Sequence, residues 1–167
     1  MRSQKLTHAQ YEVILNEYRT AQTSDERNTA LRALGRARDP ALIAKTLSLP
    51  LSNEVKGQDI YLPLGGLRTH ADGISILWDW MKQHWSELER KLPPGLTMLG
   101  TVVSLCTSGF THDRQVDEVK AFFAERSTKG FDQSLAQSHD AVVAKARWLQ
   151  RDTDDVKKWL GDNGYST

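Results

Sequence analysis

The sequence predicts an all-α fold, a stack of antiparallel helix pairs. Apolar residues recur at three- and four-residue spacing along nearly all of the 167 residues, the periodicity of helices buried on one face. Helix start and stop signals fall between these stretches at short intervals. Apolar residues make up 39% and charged residues 26% of the chain, which suits one globular domain with a substantial core and argues against disorder.

The elements follow in order. Residues 11–21 place Tyr11, Ile14, Leu15 and Tyr18 on one face. Thr23 and Glu26 stand at capping-box spacing and open a second helix. It buries Ala30, Leu31, Leu34 and Ala37 and turns Arg27, Arg32, Arg36 and Arg38 to solvent. Asp39-Pro40 starts a third helix, because proline is tolerated in the first turn. Its stripe is Leu42, Ile43, Thr46 and Leu47, and Pro50 closes it. Residues 60–67 are read as a helix disturbed by Pro63, Gly65 and Gly66, because the neighbouring segments alternate as helix pairs. The two glycines are not a phosphate loop, since the Lys-Ser/Thr ending is missing. Close backbone approach to a neighbour is their expected role.

Residues 73–92, GISILWDWMKQHWSELERKL, are the most informative segment. They read as one helix with Trp78, Met81, Trp85, Leu88 and Leu92 in a single stripe and Trp80 off that line. Pro93-Pro94-Gly95 ends it. Residues 96–106 form a buried helix carrying Leu99, Val102, Val103 and Cys106, and residues 113–126 place Val116, Val119, Phe122 and Phe123 on one face. After a loop over residues 127–132, residues 133–150 bury Leu135, Val142, Val143, Ala146 and Leu149 with Trp148 beside them. A separate last helix spans residues 152–162. Its Asp152, Asp154 and Asp155 suit a helix N-terminus, and Asn163-Gly164 ends it. No fixed-period repeat is present. The expected organisation is a disordered or expression-derived segment at 1–10, one helical domain at 11–164 and a tail at 165–167.

Little here points to chemistry. Lys+Arg 22 against Asp+Glu 21 leaves a net charge of +1, so no bulk charge draws the chain to nucleic acid or an anionic membrane. No apolar run reaches the ~18 residues of a membrane span, and the N-terminus has no signal-peptide core. Cys106, the single cysteine, sits in apolar VVSLCTSGF and reads as a buried thiol of a reducing compartment. His8, His70, His84, His112 and His139 include no H-E-x-x-H and no i, i+4 pair. His70 and His112 are expected to be solvated in turns, and His84 half-exposed. The remaining candidate is Arg68, just before the tryptophan helix, where a guanidinium facing a cavity would hold a peptide carboxylate by a bidentate pair.

Four ordered segments carry a family resemblance: RDPALIAKTLSL, QDIYLPLGGLRTHADGISILWDWMKQHWSEL, PPGLTMLGTVVSLCTSGF and DEVKAFFAERSTKGFDQSLAQSHDAVVAKARWLQRDTDDVKKWL. Together they resemble the C-terminal helical domain of gluzincin zinc aminopeptidases. The nearest branches are the fungal cytosolic alanine/arginine aminopeptidases and the puromycin-sensitive aminopeptidase. The resemblance implies a HEAT-like, bowl-shaped stack that encloses the substrate chamber and helps select and position peptides. It implies a cytoplasmic fragment whose partners are a catalytic domain of the same polypeptide and peptide substrates. Zinc would belong to that catalytic domain, because this sequence has neither H-E-x-x-H nor G-x-M-E-N. The isolated chain is then expected to bind no cofactor, to cleave nothing, and to self-associate through exposed apolar surface. Some family members offer a chamber arginine from the helix matching residues 96–106; Gly100 and Thr101 stand nearest here, so that contact is not carried over. The alternative reading is an independent helical-repeat scaffold that binds a protein or peptide.

Overall fold

In a computed structural model, residues 6–93 and 97–165 are described. Nine α-helices and no strand occur among them. The helices are α1 (His8–Thr20), α2 (Ser24–Leu34), α3 (Pro40–Ser48), α4 (Tyr61–Leu67), α5 (Ala71–Gln83), α6 (Trp85–Lys91), α7 (Thr97–Thr107), α8 (Asp113–Phe123) and α9 (Asp132–Asp162). Two short 3-10 turns, Leu49–Leu51 and Gly57–Asp59, carry the chain from α3 to α4.

The caps explain the boundaries. Thr7 and Gln10 form a capping box, so α1 begins at His8, three residues earlier than the apolar pattern suggested. Thr23 and Glu26 form a second box for α2. The Asp39 carboxylate accepts from the amides of Ala41 and Leu42, with Pro40 in the first turn of α3. Pro63 sits in the first turn of α4, where its missing N–H breaks no helical bond, so the disturbed segment is helical as expected.

The pairs stack in two layers. α2, α4, α7 and α9 pack in succession, and α1, α3, α5 and α8 each lie against them, as α2 on α1, α4 on α3, α7 on α5 and α9 on α8. The small end of the core joins α1–α3: Tyr11, Leu15, Leu31, Leu34 and Leu42 are almost fully buried, and the Tyr11 hydroxyl lies 3.0 Å from Thr46 Oγ1. The larger core centres on α5–α8 and includes Leu64, Leu77, Met81, Leu88, Val102 and Cys106. Within the first of these layers, the C-terminal end of α2 and α4 touch through glycine. A Cβ on Gly66 would lie 2.6 Å from the Gly35 carbonyl carbon, whereas one on Gly65 would meet nothing within 4 Å. Of the Gly65-Gly66 pair only Gly66 makes the close approach, against Gly35, where a Cβ would lie 2.2 Å from the Pro63 carbonyl oxygen.

Three expectations are corrected. Residues 73–92 are not one helix: His84, at φ −109° and ψ 21°, separates α5 from α6. The break re-aims α6, whose Lys91 ammonium donates to the carbonyls of Ser52 and Val55. Trp80, off the stripe as read, is buried too: it is 5% exposed and packs in the same cluster as Leu47. A helix flanked by both α4 and α7 buries more than one stripe, which a single-face reading misses. Residues 133–150 and 152–162 are one 31-residue helix, α9. Asp152, Asp154 and Asp155 therefore lie mid-helix, and Asp152 instead pairs with Arg151 at 2.6 Å. Trp148, expected beside the core, is 52% exposed.

Gly130 and Gly164, at φ 95° and 77°, bracket α9. At its end the Tyr165 amide donates to the Leu160 carbonyl, a Schellman-type closure. Of the expected terminal segments, residues 1–5 and 166–167 lie outside the described residues, as do Pro94, Gly95 and Leu96 of the expected boundary. Residues 8–10 form the first turn of α1 rather than part of a disordered leader.

Candidate binding face and the Arg68 corner

The tryptophans of α5 and α6 build the most structured surface. Trp85 meets Phe122, Phe123 and Phe131 edge to face, with centroids 5.6, 5.3 and 6.1 Å away. Trp78 meets Phe110 and Phe122 the same way, and the Lys82 ammonium lies over its ring at 5.2 Å. Each indole borders a different groove. Trp80 lines one of about 460 Å³ between α3 and α5, with Leu47, Leu51 and Ile76. Trp78 lines one of about 510 Å³ between α5 and α8, with Phe110, Arg114 and Glu118. Trp85 lines a third with Glu89, Glu125 and Arg126. The indole N–H groups of all three are buried without a protein acceptor.

The groove beside Trp80 is mostly apolar, which suits an apolar side chain or helix face rather than a charged ligand. Sequence reading missed it because Trp80 sits on the far side of α5 from the Trp78–Met81–Trp85 stripe. Its signal was present all the same: a second large aromatic off the stripe is costly unless a neighbour covers it.

Arg68 lies at the C-terminal cap of α4, half-buried, and makes no ion pair or side-chain hydrogen bond among the described residues. Its charge reaches inward to Cys106, fully buried on α7. Burial pushes the Cys106 thiol up to about 12, against the small lowering effect of Arg68. A thiol held protonated in this way is a packing group, not a nucleophile.

Two residues on, His70 corrects its expectation. It is 8% exposed, and neither ring nitrogen has a hydrogen-bond partner. Burial first, and then the charge of Arg38, lower its pKa below the ordinary histidine value, with Asp72 opposing. The cause is local: a Cβ on Gly73 would lie 2.0 Å from the Leu67 carbonyl oxygen. The turn between α4 and α5 is that tight, and it folds His70 inward. His112 is exposed, as expected. His84 is half-buried, its Nδ1 3.4 Å from Glu87 without a formed hydrogen bond. Gly100 packs on α9, where a Cβ would meet Phe131 Cβ at 2.8 Å.

Among the described residues no group of three or more His, Cys, Asp or Glu could hold a metal ion. No helix there is long and apolar enough to cross a membrane. The arrangement offers binding surface and shape.

The family model of the ERAP1-like C-terminal domain matches residues 1–144. Aminopeptidase 2, mitochondrial, from Saccharomyces cerevisiae is 51% identical over 155 residues, which is 93% of this chain and 16% of that protein. Alanine/arginine aminopeptidase of the same yeast is 43% identical over 155 residues, 93% of this chain and 18% of its own length. Aminopeptidase M1 of Arabidopsis thaliana is 29% identical over 149 residues, covering 89% and 17%. The chain thus spans less than a fifth of the length of these relatives. It belongs to the ERAP1-like C-terminal domain family.

Proposed function

We propose that this member of the ERAP1-like C-terminal domain family is the distal, non-catalytic part of a zinc aminopeptidase. Its role is to help wall the chamber in which a catalytic domain of the same polypeptide removes N-terminal residues from peptides. The observation that carries this reading is the lopsided match: 93% of this chain, but only 16% of aminopeptidase 2. The chemistry agrees, because the described residues assemble packed aromatics and grooves but no cluster of metal ligands. Zinc would be held by residues outside this chain. A cytoplasmic location rests on the family resemblance and on a single, buried cysteine; "mitochondrial" in the name of one relative is said of that protein.

Within this reading Arg68 holds the carboxylate of a bound peptide. The residue is half-buried at the C-terminal cap of α4 and free of ion pairs among the described residues, and a guanidinium pairs bidentately with a carboxylate.

The test is reconstitution. Yeast aminopeptidase 2 lacking the matching segment is combined with this chain, and hydrolysis of an aminoacyl-amide is followed. Restored, chelator-sensitive activity is expected, with none from the chain alone. Arg68→Ala should raise KM for peptides with a free C-terminal carboxylate and leave C-terminally amidated peptides unchanged. Chelator-sensitive cleavage by the chain alone would overturn the proposal. Failure to restore activity, together with capture of an apolar peptide by the Trp80 groove, would favour the independent scaffold.

A further inference from the structure

The second half of α9 is largely uncovered among the described residues. α9 is 31 residues long, about 46 Å at 1.5 Å per residue, whereas α7 and α8, which it packs against, have 11 residues each. Its buried residues, Ser138, Val142 and Ala146, all lie in the first half. Beyond them Trp148, Val156, Trp159 and Tyr165 are 52%, 44%, 58% and 61% exposed. They are four of the six large exposed apolar residues among those described. Trp148 and Trp159, three turns apart, share one side of the helix, with Val156 beside them. Tyr165, turned back by the Schellman-type closure, stacks on Trp159 at 6.1 Å and 15°.

The flank of this stripe selects its occupant. Arg151, Asp155, Lys158 and Asp162 follow one another at intervals of four, three and four, all exposed and all on the side of the helix next to the tryptophans. Their signs alternate. Laid antiparallel against its own copy, this row meets itself in reverse: Asp155 faces Lys158, and Arg151, which pairs with Asp152 on its own helix at 2.6 Å, also faces Asp162, each pair occurring twice. The same register sets the two Val156 side chains at the axis. A parallel register would set Arg151 on Arg151 and every other charge on its like. Two overhangs of about 18 residues packed side by side bury on the order of 1,000 Å² in total, the low end of a specific interface. An interface about a twofold axis needs this self-complementarity.

We propose that the 167-residue chain forms a twofold dimer through the distal half of α9, two antiparallel helices joined by the Trp148–Val156–Trp159 stripe and its self-complementary charge row. This is independent of any role in an aminopeptidase.

Sedimentation equilibrium of the intact chain tests it. The mass should rise with concentration from 18.9 kDa to twice that value, and Trp148→Glu with Trp159→Glu should hold it at the monomer with unchanged helix content. Asp162→Arg should weaken the dimer about tenfold by placing like charges together, and adding Arg151→Asp should restore it. The charge pair keeps the test decisive if the tryptophan variant unfolds, since both residues are exposed. A wild-type chain that stays monomeric at every concentration would overturn the proposal and assign the stripe to a different polypeptide. So would a dimer indifferent to the tryptophan changes, or a charge swap that restores nothing.

Discussion

Two regions use tryptophan in opposite ways. Trp78, Trp80 and Trp85, on α5 and α6, are 4–5% exposed; Trp78 and Trp85 are locked among Phe110, Phe122, Phe123 and Phe131, and Trp80 packs in the same core beside Leu47. Trp148 and Trp159, on α9, are more than half exposed. Both regions have helical apolar periodicity, so periodicity does not separate them. Neighbours do. α5 lies between α4 and α7 and has α8 across its outer grooves, whereas the distal half of α9 runs past the ends of the helices it pairs with. An apolar stripe states that a helix needs a partner; it does not state that the partner is in the same chain.

The largest expected contrast is between single tryptophans. Trp85→Ala should cost about 3–5 kcal/mol in urea unfolding, the usual cost of removing a buried large aromatic. Trp159→Ala in the monomer should stay within about 0.5 kcal/mol. Similar values for both would dissolve the distinction between the two regions.

Glycines extend the comparison. A Cβ at Gly66 collides with the Gly35 backbone at 2.6–2.8 Å, so Gly66→Ala should destabilise by about 1–3 kcal/mol through overpacking. A Cβ at Gly161, on the α9 overhang, meets nothing within 4 Å, and Gly161→Ala should stabilise by about 0.5–1 kcal/mol through helix propensity. Thermal melts of the two variants should move in opposite directions.

Chemical access sharpens it further. Cys106, on the buried side of α7 with a pKa near 12, should react with a thiol reagent only as fast as the protein unfolds. Amides beyond residue 150 should exchange through local fraying, well before those of α5. Rapid labelling of Cys106 in native buffer would break the assignment of α7 to the core.

The smallest effect is that of pH. His70 has a folded pKa below its unfolded value, so between the two the unfolded chain binds the extra proton. Its contribution to stability is present above the unfolded pKa, about 6.5, and is lost as pH falls towards the folded value. Unfolding midpoints should therefore drop on acidification through this window, and less so in His70→Gln. An NMR titration placing His70 above the ordinary value would reverse the sign.

The residues explain what was legible. Thr23–Glu26 and Asp39-Pro40 announce their helices because caps act over three or four residues. Cys106 reads as buried because its neighbours along the chain are apolar. The His84 break, the inward turn of His70 and the groove that covers Trp80 were not legible, since each depends on a neighbour distant in sequence or on a backbone turn. At the candidate corner, Arg68 could be named from its place before the tryptophan helix, but its half-burial and its reach toward Cys106 come from the packing of α4 on α7.

By itself, then, the sequence determined an all-α chain, most of its helix starts, the residues of its core and its family. Local hydrogen bonding and apolar periodicity are written in short stretches of chain. The tertiary structure decided which stripes find a cover, where Gly66 must remain bare against Gly35, and that two helices read as separate are one. Those outcomes depend on distances between segments far apart in sequence, and no periodicity encodes the end of a neighbouring helix.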